Sequence, residues 1–319
     1  MKAVLLDAAT LGEDIDLAPL RACVDTFEVH ASTRPEECIP RLHEAEIAIV
    51  NKVVLDAEVL ESSPTVKLIC LTATGTDNVD LEAAKRLGIT VRNVNAYGTA
   101  SVAQHTLMLM LALANRLPLY QRDVLAGRWS ESPFFCLMDH RTLQLADKQL
   151  VIVGQGELGQ AVATLAEAFG MRVSFAARPG GKGQDSRPTL VELAPQADVI
   201  SLHCPLTQST RHLIDADLLA RLKPQALLIN CARGSIVDEP AALGALQAGR
   251  LGGLGVDTLP QEPPPRDHPL LRALRDHQDA PLNLIVTPHN AWISPEARAS
   301  VVRLTVDNIR SWQDADHAH

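Results

Sequence analysis

Three polar side chains stand just past the ends of three short apolar runs: Arg233 in NCARGSIVDE, Glu262 in DTLPQEPP and His289 in TPHNAW. An arginine binds a carboxylate through paired N–H donors. A histidine exchanges a proton near neutral pH, and a glutamate can orient it. Upstream, directly after LVIV (Leu150 to Val153), the chain reads GQGELG, with Gly154, Gly156 and Gly159 in the GxGxxG spacing. Such glycines permit a tight turn, close backbone approach to a pyrophosphate and close helix packing. The amides that open the following helix then meet the negative charge. Ligands of an open parallel sheet sit beyond the carboxyl ends of its strands. The pattern therefore predicts a nucleotide at the glycine loop and a small anion beside it, where a proton is moved.

The elements that must position these residues alternate between strand and helix patterns along the whole chain, which predicts α/β architecture with parallel strands. Strands are expected at AVLLD, EIAIV, KLICLT and ITVRNV in the first third, with helix-like stretches near 13–23, 35–44, 56–61 and 80–87. One long helix is expected from about Thr99 to Ala126, closed by Gly127. GRWSESPFFCLMDHRTLQL is irregular and reads as an exposed arm, whose Trp129, Phe134 and Phe135 suggest a subunit contact. Six further strands fit QLVIV, RVSFA, DVISLH, ALLINC, LGVD and NLIVT, the number of a double nucleotide-binding unit. A last helix runs from Pro295 to about Trp312, and the tail DADHAH reads as frayed rather than metal-binding.

Composition excludes several classes. A formal charge of -9 argues against nucleic acid. TLMLMLALA is short for a membrane span. Cys23, Cys38, Cys70, Cys136, Cys204 and Cys231 form no CxxC pair, which reads as reduced thiols in a cytoplasmic protein without a metal site. No signal-peptide pattern is apparent. With 319 residues, two domains are expected.

The end of RVSFA decides the nucleotide. An NAD site usually places an acid about 20 residues after the glycine loop, on the ribose hydroxyls. Here the strand ends in Ala177-Arg178, no acid lies between Glu167 and Asp185, and Lys182 follows on a glycine-rich loop. Two cations without a carboxylate suit a 2′-phosphate. NADP(H) is therefore expected as the preferred cofactor, with NAD(H) as the alternative.

NCARGSIVDE, DTLPQEPP and TPHNAW together resemble the D-isomer-specific 2-hydroxyacid dehydrogenase family. LTATGTDNVDL, VRNVNAYGTASVAQHTL and DVISLHCPLT extend the similarity over nearly the whole chain. TATGTDNVD, ESPFFC and TPHNAW are in the style of its glycerate dehydrogenase or hydroxypyruvate reductase branch.

The resemblance implies two doubly wound parallel-sheet domains, Rossmann- or flavodoxin-like, with an inter-domain cleft. Residues 1–98 and 290–319 would bind substrate, and 99–289 would bind the dinucleotide. It implies that His289 is the acid in reduction and the base in oxidation. Glu262 would be its partner, and Arg233 would hold the substrate. Thr74 and Gly75 would supply backbone donors to the substrate carboxylate and meet the cofactor. Glu157 and Leu158 would face the pyrophosphate. Cys204, Pro205, Cys231, Ala232, Asp257 and Trp292 would line the cofactor or the cleft, Cys204 as a packing residue. The implied activity is hydride transfer between NAD(P)H and a short 2-oxo acid, best read as hydroxypyruvate or glyoxylate, in a homodimer. A corepressor-like nucleotide sensor on the same fold and a formate or phosphite dehydrogenase are the alternatives. Two positions depart from the family: Gln104-His105 stands where Glu-His is common, and Asn290 stands where an apolar residue is usual.

Overall fold

A computed structural model describes residues 1–181, 185–276 and 281–316. The chain divides into two compact units, Met1–Gly98 with Ile293–His319, and Thr99–Trp292. Lys182 and the histidines of the DADHAH tail lie outside the described residues.

The first unit is built on β1 (Lys2–Leu5), β2 (Thr26–Val29), β3 (Ile47–Val50), β4 (Leu68–Leu71) and β5 (Thr90–Arg92). All pair in parallel, in the order β2-β1-β3-β4-β5. IAIV and LICL are buried along their whole length, as strands covered on both faces must be. Asp56 and Asp80 cap the helices that follow by accepting from the Val59 and Ala83 N–H groups. Strand β2 is not evident in the sequence: in TFEV only Phe27 is buried, as befits a sheet edge. Residues 13–23 hold only a short helix, Ala18–Arg21. Its start is deferred because Asp14 is bound by Arg298 and the Asp16 carboxylate accepts from the Ala18 N–H. The helix Pro295–Asp316 lays Val301, Val302, Val306, Ile309 and Trp312 against Ala3, Leu5, Ile47 and Leu68. This packing returns the end of the chain to the first unit. After β1 and β3, the buried Asp7 carboxylate accepts from the N–H groups of Asn51, Lys52 and Val53.

The second unit carries β6 (Gln149–Val153), β7 (Arg172–Phe175), β8 (Val199–Leu202), β9 (Leu227–Asn230), β10 (Gly253–Val256) and β11 (Leu284–Val286). They form one parallel sheet in the order β11-β10-β9-β8-β6-β7. Strand order reverses between β6 and β8, which makes that crevice the switch point where ligands bind. Side chains alternate between two cores. Leu150, Ile152 and Ile229 meet Leu109, Met110 and Leu113 on one face. Val151, Val153, Ile200 and Leu228 meet Leu218, Leu246 and Leu270 on the other.

The expected helix over Thr99 to Ala126 is instead two, Thr99–Ala114 and Leu117–Leu125. Arg116 takes a left-handed φ of 56° between them, and Pro118 has no N–H with which to continue a helix. The Arg116 guanidinium secures the break by donating to the Arg141 and Gly252 carbonyls and to Gln225 Oε1. The arm after Gly127 carries no helix or strand and exposes Phe134 at 73% and Phe135 at 90%. It is anchored on buried Asp123, which accepts from Arg128 Nη1 at 3.1 Å and pairs with His140 Nε2 at 2.7 Å.

No helix among the described residues is long and apolar enough to cross a membrane. No group of three metal-ligating side chains occurs among them either.

Candidate active site

Gly154 ends β6 with a φ of 109°, and a Cβ there would stand 2.4 Å from the His203 carbonyl oxygen. A Cβ on Gly159 would stand 2.0 Å from the Gly154 oxygen. Both positions therefore require glycine, and the loop presses against the end of β8 at the switch point. At Gly156 nothing lies within 4 Å of a Cβ position. Gly156 caps the helix Glu157–Ala168 without a side-chain hydrogen bond. Open space in front of uncapped N–H groups is what a pyrophosphate needs, so these residues fit a dinucleotide. Glu157 is spoken for, since its Oε1 accepts from Thr99 Oγ1 at 2.8 Å. Leu158 is half-buried. Beneath the loop, burial pushes the His203 imidazole down to about 4, and Ser201 Oγ lies 2.8 Å from its Nε2. Burial pushes the Cys204 thiol up to about 11 and that of Cys231 to about 12, so both are neutral packing groups. Pro205 is exposed.

The end of β7 differs from the sequence expectation. Arg178 exposes its side chain, but its backbone N–H donates to Asp185 Oδ2 at 2.8 Å. A carboxylate does reach the strand end, brought back by a loop rather than carried on the strand. Arg187 forks onto Asp185 and donates to Gln155 Oε1 in the glycine loop at 2.7 Å.

Arg233 follows β9 and is braced by Asn230. That buried amide donates to the Arg233 carbonyl at 2.9 Å and accepts from the Ala232 N–H at 3.0 Å. The Arg233 guanidinium donates to the Ala232 oxygen at 2.8 Å, leaving further N–H groups for a ligand. Glu262 follows β10. Its Oε1 accepts from the Leu259 N–H at 2.8 Å, and its Oε2 lies 2.6 Å from His289 Nδ1. An ionised carboxylate only accepts, so Nδ1 carries the proton of that bond and Nε2 is the nitrogen left to exchange one.

His289 itself stands at a φ of 51°, a left-handed conformation that histidine tolerates better than most residues. Asp257, 1% exposed, imposes it. Its Oδ1 accepts from the Asn290 N–H at 3.0 Å and from the Thr287 hydroxyl, its Oδ2 from the Ala291 N–H at 3.1 Å, and its carbonyl from the His289 N–H at 2.8 Å. Because the Thr287 hydroxyl donates to Asp257, His105 Nε2, 3.0 Å from Thr287 Oγ1, must donate to it. These bonds keep residues 290–292 in the second unit, three residues beyond the boundary read from sequence. The Asn290 Oδ1 is buried without a hydrogen-bond partner among the described residues, and Gln104 is exposed. Thr74 and Gly75 follow β4 in the first unit, where Thr74 Oγ1 donates to the Val94 carbonyl at 3.0 Å.

The family model of the D-isomer specific 2-hydroxyacid dehydrogenase NAD-binding domain matches residues 107–291. The chain is 42% identical to a glycerate dehydrogenase of Methylorubrum extorquens, over 98% of this chain and 96% of that one. It therefore belongs to the D-isomer specific 2-hydroxyacid dehydrogenase family. It is also 33% identical to a hydroxypyruvate reductase of Blautia hydrogenotrophica, over 98% and 97% of the two chains. Among solved structures it resembles an NADPH-dependent glyoxylate/hydroxypyruvate reductase of Sinorhizobium meliloti in complex with NADP and malonate. That likeness has a TM-score of 0.75 and 28% identity, and covers 98% of this chain and 93% of that one.

For this D-2-hydroxyacid dehydrogenase, sequence reasoning marked Arg233, Glu262 and His289 but missed the residues that hold them. Asn230 had a signal: it is a polar residue ending an otherwise apolar strand. Asp257 was read as lining the cofactor or the cleft; the structure adds that its carboxylate accepts from the Asn290 and Ala291 N–H groups and the Thr287 hydroxyl around His289. His105 had a signal, as the histidine of the family's Glu-His pair, but its contact with Thr287 was not read from it.

Proposed function

We propose that this dehydrogenase reduces hydroxypyruvate, glyoxylate or a similarly short 2-oxo acid with NADPH, and oxidises the corresponding D-2-hydroxy acid in reverse. The names of the M. extorquens, B. hydrogenotrophica and S. meliloti relatives support the substrate class. When bound at the glycine loop, the nicotinamide cofactor would supply the hydride for the substrate's C2 in reduction and take it up in oxidation. Arg233 binds the carboxylate and the carbonyl oxygen through its forked donors, orienting the acid and stabilising charge on that oxygen. His289 Nε2 delivers the proton to the oxygen in reduction and removes it in oxidation. Glu262 fixes the ring's tautomer and balances the imidazolium. Thr74 and Gly75 are assigned to the substrate carboxylate, on family resemblance alone.

The glycine loop, Glu157 and Leu158 are assigned to the pyrophosphate. Cys204, Pro205, Cys231, Ala232, Asp257 and Trp292 are assigned to the surroundings of the cofactor or the cleft. The NADP complex of the S. meliloti relative supports NADPH over NADH, as does the end of β7, where the carboxylate that reaches it, Asp185, is already bonded to the Arg178 N–H and to Arg187. We place the enzyme in the cytoplasm as a homodimer joined through the arm after Gly127.

The observation that carries the reading is the 2.6 Å contact between His289 Nδ1 and a Glu262 carboxylate already fixed by the Leu259 N–H. The test is loss of NADPH absorbance with a panel of 2-oxo acids. Hydroxypyruvate and glyoxylate should give the highest specificity constants. Absence of oxidation with every member would overturn the proposal.

A further inference from the structure

Asp185 and Arg187 lie outside every motif of the family resemblance, yet they occupy the ground between the end of β7 and the glycine loop. The chain leaving β7 closes on itself, with the Ala177 N–H donating to the Pro188 carbonyl at 2.8 Å. Within that closure the Asp185 carboxylate collects four N–H groups. Oδ1 accepts from Arg187 N at 3.2 Å and Arg187 Nε at 2.8 Å, and Oδ2 accepts from Arg178 N at 2.8 Å and from Arg187 Nη2. A carboxylate has about four lone-pair positions, so none is left for ribose hydroxyls unless an internal bond is given up. This acid stands where an NAD site needs one but is already satisfied.

Arg187 presents the complementary count. A guanidinium carries five N–H donors. Nε and one hydrogen of Nη2 go to Asp185, and one hydrogen of Nη1 goes to Gln155 Oε1. One hydrogen on each Nη is uncommitted among the bonds between described residues, and guanidinium donors of this kind suit phosphate oxygens. Two anchors hold the group in place: Asp185 on the strand side and Gln155 on the loop side. Arg178 has no such support, since its exposed side chain bonds to no other described residue.

We propose that Arg187, pinned by Asp185 and Gln155, is the residue that recognises the adenosine 2′-phosphate and sets cofactor choice, and that the Arg178 side chain is dispensable for it. The inference rests on the dinucleotide reading of the glycine loop and deepens it.

The test is calorimetric titration of the whole enzyme with adenosine 2′,5′-bisphosphate and with 5′-AMP, which needs no turnover. The parent should bind the bisphosphate at least about tenfold more tightly, the worth of one charge-assisted hydrogen bond. Arg187→Ala should remove that difference while leaving 5′-AMP binding within about twofold of the parent. Arg187→Lys keeps a charge but cannot fork, and should retain only part of the difference. It also serves if the alanine variant folds poorly. Arg178→Ala should leave the difference in place. Retention of the preference in Arg187→Ala, or its loss in Arg178→Ala alone, overturns the assignment. A parent that binds both nucleotides equally overturns it while leaving the dinucleotide reading intact. A parent that binds neither removes both.

Discussion

Gly234 lies against the backbone of Leu259, so that a Cβ on Gly234 would stand 2.1 Å from the Leu259 carbonyl carbon. Arg233 directly precedes this contact on one side. On the other side the Leu259 N–H holds Glu262, which in turn holds His289. The substrate clamp and the support of the proton-transferring histidine are thus parts of one packed junction. Gly234→Ala should force the two turns apart. Turnover should fall by more than about tenfold, with a loss of stability of about 1–3 kcal/mol. Nucleotide binding, measured by titration, should stay near the parent's. Parental turnover in a folded Gly234→Ala enzyme would show that the junction does not transmit.

Removing the histidine or its partner separates proton transfer from binding. His289→Ala should lower turnover by about two to four powers of ten, with the dissociation constant for the nicotinamide cofactor little changed. Glu262→Gln keeps the volume and one acceptor but cannot balance an imidazolium, so turnover should fall while cofactor affinity holds. Steady-state kinetics alongside equilibrium binding decide the matter. Near-normal turnover in His289→Ala would move the acid-base role elsewhere.

The arm exposes Phe134 and Phe135 far beyond what a lone domain needs. If the proposed homodimer forms through the arm, replacing both by serine should shift the particle from dimer to monomer in light scattering, with little change in the melting of the monomer itself. A double variant with parental mass would show that the arm is not the subunit contact. Asp123→Ala should have a weaker effect of the same kind, because it frees the arm without altering the apolar tip.

His203 predicts a pH dependence of stability. Its folded value of about 4 lies below the ordinary 6.5. Between those values the unfolded chain holds a proton that the folded chain does not. Stability contributed by the neutral ring is therefore complete above about pH 6.5 and is lost as pH falls toward 4. His203→Gln offers Ser201 a polar partner without titrating. Its midpoint of thermal unfolding should fall less steeply over that window than the parent's. Equal slopes would place the acid sensitivity in other buried groups.

Strand positions in both sheets were legible because buried parallel strands write themselves as apolar runs; IAIV, LICL and LLIN needed nothing beyond their own residues. Strand β2 was not legible, since an edge strand with one buried side chain carries almost no apolar signal. The helix break at Arg116 was also hidden. Pro118 hinted at it, but the break is secured by carbonyls at Arg141 and Gly252, far along the chain. The same division holds in the site. Arg233, Glu262 and His289 were readable as residue types following strands, whereas Asn230 and Asp257 act through backbone contacts that spacing does not encode. At the end of β7, linear distance misled: Asp185 is remote from the strand in sequence, but its carboxylate accepts from the N–H of Arg178 just past the strand's end.

The Ala177–Pro188 hydrogen bond gives that segment a modular character. Its base is closed by backbone, independently of the side chains between, while β7 keeps its register with β6. Lengthening such a loop adds only a slowly growing entropic cost. Related enzymes could therefore diverge in nucleotide preference by exchanging one short surface insert, with no compensating change in the sheet, the acid-base pair or the carboxylate clamp. Selectivity for the cofactor and chemistry on the substrate would then evolve as separable traits of a single polypeptide.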